Sequence, residues 1–113
     1  MPRDVNQVTV VGRVGKDPDI RYFESGTTLA TFSLAVNRPT SQQQTDWFDI
    51  KLWGRQAEVA GEYVRKGSLL GIVGQLDWDS WNDKTTGELV VKPCIAGNSM
   101  RMLGSKNDQA SMN

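Results

Sequence analysis

The chain contains no histidine and one cysteine, and it has no excess charge of either sign. Each lack closes off a class of function. Without histidine there is neither the usual neutral-pH acid–base group nor the commonest metal ligand. Cys94 stands alone, so it forms no intrachain disulfide and supplies no zinc-finger ligand set; a reducing compartment is expected. Thirteen Lys and Arg balance thirteen Asp and Glu, so no overall field attracts polyanions. No apolar run approaches the roughly 20 residues of a membrane span. The start, MPRDVNQVTV, has no apolar stretch behind Arg3, so a secretory leader is not expected. Neither a metal nor a cofactor is expected. The 113 residues and a mean hydropathy of −0.45 suit one soluble domain.

What is present is mostly extended. The Val-rich segment 5–15, interrupted by glycines, predicts a bent strand. A turn at Lys16–Asp19 leads to a short strand, IRYFE, and the SGT turn at Ser25–Thr27 sends the chain back. In TTLATFSLAVN, Ala30, Phe32, Leu34 and Val36 face inward, and Thr31, Ser33, Ala35 and Asn37 outward. A polar loop, residues 38–45, precedes the strand TDWFDIKLWG. The one helix is RQAEVAGEYVRKG, with Ala57, Val59, Ala60, Tyr63 and Val64 at helical spacing and Gly67 as its stop. Gly61 costs about 1 kcal/mol against Ala there, which close packing would explain. A long strand, a hairpin loop at 82–88 and a last strand follow; Pro93 requires an edge or bulge. Three long strands, one helix and two strands is the order of a mainly β, five-stranded OB-fold barrel, its helix between strands 3 and 4. Residues 1–104 are expected to form this domain, and 105–113 a short disordered tail.

The strand at 45–54 poses the functional question. Phe48, Ile50 and Leu52 form its core face, yet the other face carries Trp47, Asp49, Lys51 and Trp53. Trp81 too falls on the non-core side of its strand, with Asp77 and Asp79, whereas Trp78 falls with Leu76 on the packing side. An outward Trp can pack under a loop or in a subunit interface. Three on two strands suggest a stacking surface for unpaired bases, worth about 1–3 kcal/mol per base. Lys51, Arg55 and Lys66 are the cations placed to meet phosphates.

The motifs VNQVTVVGRVGKDPDIRY, FSLAVNR, DWFDIKLWG, AEVAGEYVRKGS and IVGQL resemble bacterial-type single-stranded DNA-binding proteins. DIRYFESG, LAVNRPTS and DWFDI are most similar to the cyanobacterial branch. The resemblance spans about Val5 to Gly104. It implies an OB barrel assembled as a homotetramer, with stacking aromatics at Trp47, Trp53 and Trp81 and a first strand that pairs with a second copy. It implies sequence-independent binding and protection of single-stranded DNA in replication, recombination and repair. The compartment would be a bacterial cytoplasm, at the nucleoid, or an organelle matrix, with no membrane partner.

Two features depart from the family. DWDSW stands where many members have a basic run, so Asp77 and Asp79 are expected to repel phosphates. The segment SKNDQASMN lacks the acidic, aromatic-ended tip that recruits replication and repair enzymes, which puts tail-mediated partners in doubt. These departures favour an alternative, an OB paralogue acting as a protein-assembly or replication-restart factor with weak DNA binding. An RNA-binding OB domain is a third reading. An enzyme is not expected, since Asp77 and Asp79 have no third acid or His on their face and read as solvated hairpin charges. Cys94 reads as an unreactive strand residue.

Overall fold

The computed structural model describes residues 4–40, 42 and 44–104; the expected tail at 105–113 lies outside the described residues. The elements are β1 (Val8–Val14), β2 (Asp19–Tyr22), β3 (Thr28–Asn37), β4 (Thr45–Trp53), α1 (Arg55–Tyr63), β5 (Leu69–Asn82) and β6 (Leu89–Met102).

Five strands close a ring in the order β1-β5-β6-β4-β3, with β1 returning to β3 at Arg13↔Ala35 and Val14↔Leu34. Along the chain the ring strands are β1, β3, β4, β5 and β6, so α1 falls between the third and fourth, as the sequence predicts. The short β2 lies outside the ring. It shares one edge of β3 with β1, pairing Asp19–Tyr22 with Thr28–Thr31.

Closure demands close backbone approach, and glycine supplies it. A Cβ on Gly12 would lie 2.2 Å from the Ala35 carbonyl oxygen, and one on Gly74 only 2.1 Å from that of Ala96. Alternation in β3 and β4 puts Ala30, Phe32, Leu34, Ile50 and Leu52 inside with Leu70, Ile72 and Ile95. Val36 and Phe48 pack against this core without being fully buried.

The helix caps the core with Ala57 and Ala60. It stops at Tyr63, before the predicted Gly67, because Val64 turns extended (φ −84°, ψ 131°) and enters the core. Tyr63, expected in the apolar stripe, is exposed instead. The close packing expected at Gly61 is present: a Cβ there would meet Ile20 of β2 at 3.3 Å.

Both β5 and β6 are 14 residues long and outrun the ring. β1 pairs with β5 only as far as Val8↔Gly74 and β4 with β6 only at Ile95 and Ala96, so from Asp77↔Cys94 the hairpin continues alone through Asn82↔Leu89. That overhang corrects one expectation. Trp78 continues the core row of Leu70 and Ile72 but lies past the end of the core. It is 59% exposed, and Leu76 is exposed as well.

Candidate nucleic-acid interface

Period-two alternation in β4 turns Trp47, Asp49, Lys51 and Trp53 outward once Ile50 and Leu52 are drawn into the core. Trp47 is 61% exposed, Trp53 49% and Trp81 47%. All three indoles thus lie on the outside, on the side the sequence predicts.

Each Trp of β4 has a seat. Trp47 stands opposite Ala35 on β3, and its ring leans over Gly15: a Cβ there would fall 2.6 Å from Cζ3 of the indole. Trp53 stands opposite Leu29 and stacks on Phe23, with ring centroids 6.1 Å apart and planes at 25°. Phe23 belongs to the turn after β2, held by bonds from Phe23 N–H to Thr27 O and from Gly26 N–H to Phe23 O. Sequence reasoning placed Phe23 at the end of a short strand and missed this contact. The adjacent Tyr22-Phe23 pair beside a Gly turn was the available signal.

The charges between the indoles pair internally. The Lys51 ammonium donates to Asp79, and that hydrogen bond leads the effects holding the lysine above its ordinary pKa. Lys92 Nζ lies 2.7 Å from Asp49, whose carboxylate likewise raises the lysine. Lys51, expected to meet phosphates, and Asp79, expected to repel them, thus neutralise each other. Asp77 lies opposite Cys94 and accepts the backbone N–H of Trp78. The Lys51–Asp79 pair also joins the β4 row to the β5 row that ends in Trp81.

The other predicted cations lie elsewhere. Arg55 opens α1 and lines a cleft of about 430 Å³ with Tyr22, Glu58, Glu62 and Tyr63, on the helix side. Lys66 is exposed in the turn after α1, where its N–H donates to Asp17 Oδ1 at 2.8 Å. Lys16 was missed; it shares a groove of about 320 Å³ with Thr31, Asp49, Lys51 and Asp79. Arg21 was missed as well, and register places it in a row with Leu29 and Trp53. Among the described residues neither Lys16 nor Arg21 has an ion-pair partner. Both are visible in the sequence, but only the fold brings them to this face, Arg21 through β2's register against β3 and Lys16 through the adjacent bond from Gly15 N–H to Ser33 O.

Cys94 is buried, and burial chiefly pushes its thiol above the ordinary value, which disfavours the reactive thiolate.

Ring and outer face together define an OB-type domain, a class whose strand face and loops bind oligonucleotides and oligosaccharides. Residues 5–103 match the single-strand binding protein family. Single-stranded DNA-binding protein 1 of Synechocystis sp. is 51% identical over 108 residues, covering 94% of this chain and 89% of that protein. Single-stranded DNA-binding protein 1 of Nostoc sp. is 52% identical over 105 residues, 93% of this chain and 88% of that one. The single-stranded DNA-binding protein of Thermosynechococcus vestitus is 51% identical over 104 residues, with shares of 92% and 87%. The chain belongs to the single-strand binding protein family.

Proposed function

We propose that this protein binds single-stranded DNA without sequence preference and protects it during replication, recombination and repair. Bases stack on Trp47, Trp53 and Trp81, with Phe23 backing Trp53. Lys16 and Arg21 meet phosphates directly, Lys51 does so by exchanging Asp79 for a phosphate, and Arg55 and Lys66 serve the strand where it leaves the face. The observation that carries this reading is the exposure of three indoles, Trp47 and Trp53 on a strand whose opposite face is core and Trp81 on the overhang that Lys51–Asp79 joins to it. The names of the cyanobacterial relatives agree with it.

The working form is a homotetramer in the cytoplasm, at the nucleoid. Val11, Val73 and Leu103 are exposed on the outside of the β1–β5 sheet, around Gly71, and a second copy would cover them. Among the described residues no helix is long and apolar enough to cross a membrane.

Titrating oligo-dT against Trp emission at several salt concentrations, with mass measured in the same sample, tests the reading. Saturable quenching by oligo-dT on a tetramer supports it. Absence of quenching at low salt overturns it in favour of a protein-assembly role, which the internal pairing of Lys51 and Lys92 otherwise favours. Equal or tighter binding of oligo-rU would assign the surface to RNA.

A further inference from the structure

Between β4 and β6 the sheet opens. These two strands run parallel and pair at Ile50↔Ile95 and Lys51↔Ala96. Upstream of that point stands Pro93. The hairpin closes with Asp83 N–H on Glu88 O, and alternation from there makes Trp78↔Pro93 a non-hydrogen-bonded pair. The Pro93 nitrogen therefore faces β4 and has no hydrogen to offer it. The strands part, leaving an apolar cleft of about 400 Å³ lined by Trp47 and Phe48 on one side and by Leu76, Trp78 and Pro93 on the other.

Three observations make this cleft a binding site. Trp47 and Trp78 both line it, and each is more than half exposed. The pairing that seats Trp78 against Pro93 brings side chains close, so the indole is held although the core no longer covers it. The Asp49–Lys92 ion pair joins the two walls, which puts a cation at the rim. An occupant that suits this lining is flat, aromatic and attached to an anion.

The geometry points to a fourth stacking position, in which one unpaired nucleobase of the bound strand enters the cleft and stacks on Trp78 while its phosphate draws Lys92 from Asp49. This rests on the single-stranded DNA reading and extends it to a residue that strand alternation assigns to packing.

The test is ¹⁹F NMR on the full chain labelled with 5-fluorotryptophan, the Trp78 resonance being assigned with Trp78→Phe. Oligo-dT is expected to shift four resonances, Trp78 among them. Shifts at Trp47, Trp53 and Trp81 with Trp78 unmoved would overturn the inference and leave the broader reading intact. No shift at any of the four would defeat that broader reading itself. As a second measurement, Trp78→Leu should weaken oligo-dT binding by about 5- to 150-fold, the range for one stacked base. Trp78→Phe, which keeps a ring, should recover most of that loss. Equal affinities for Trp78→Leu and the native chain would again overturn the inference.

Discussion

At the scale of single residues, the outer face depends on where each indole is seated. Replacing Trp47, Trp53 or Trp81 by Ala should cost about 1–3 kcal/mol of oligo-dT binding and leave the circular dichroism unchanged, since none contributes to the buried core. Unfolding in all three would mean that they hold the ring together. Because Phe23 stacks on Trp53, a double-mutant cycle between them should show coupling of about 0.5–1.5 kcal/mol in stability. Gly15→Ala should act at a distance: its methyl must push the Trp47 ring aside, so Trp47 emission and DNA affinity change together. Trp47 and Trp53 were legible because alternation needs only a core beneath the strand, and Trp81 keeps its side of β5 beyond that core. Trp78 was misread for the same reason, since nothing in its own stretch shows that β5 runs on after the core has ended. The partners of Lys51 and Lys92 were illegible, because Asp79 and Asp49 come to them through the ring and not through the chain.

At the scale of elements, ring closure is the step most exposed to single changes. Gly74→Ala would place a methyl against the Ala96 carbonyl, backbone against which no side chain can swing clear. A loss of about 3 kcal/mol or more is expected, at the top of the overpacking range, read by chemical denaturation. The hairpin has its own device. Asp83 Oδ1 accepts the N–H groups of Thr85 and Thr86, and these bonds hold its carboxyl below the ordinary carboxylate range. A depressed folded-state pKa stabilises the charged form above the unfolded value and loses that contribution as pH falls through the folded one. The Thr85 and Thr86 amide resonances should therefore move only in acid, below the ordinary carboxylate range, and stay unchanged through neutral pH. Strand order and the helix were legible from alternation and turn residues. The early end of α1 was not, because burial of Val64 outweighs the helical pattern that runs on to Gly67.

At the scale of the whole molecule, a neutral chain has to bind a polyanion without a long-range field to steer it. In the proposed tetramer, part of the answer is assembly, which repeats the Trp face. Val11→Lys with Val73→Lys should split the assembly by placing charge in its apolar contact, and light scattering should then report a single chain. The other part is local, in the two internal ion pairs on the binding face. Lys51–Asp79 and Lys92–Asp49 keep two cations beside the indoles already neutralised. A phosphate must displace a carboxylate to reach either one, so its approach is less favourable than to a free cation. Asp79→Asn together with Asp49→Asn removes both competitors and retains side chains of the same size. Binding of oligo-dT should tighten, most at low salt, since exposed pairs are worth at most about 1 kcal/mol each and are screened. The fall of log affinity with log salt should steepen by about 0.7 for each additional phosphate that a lysine neutralises on a single strand. The extent of Trp quenching should not change, because stacking is untouched. If affinity and salt slope both match those of the native chain, the strand does not pass over these pairs. The path would then avoid the groove that Lys16 shares with these pairs and run by Arg21 and Trp53, and Trp81 would lie off it.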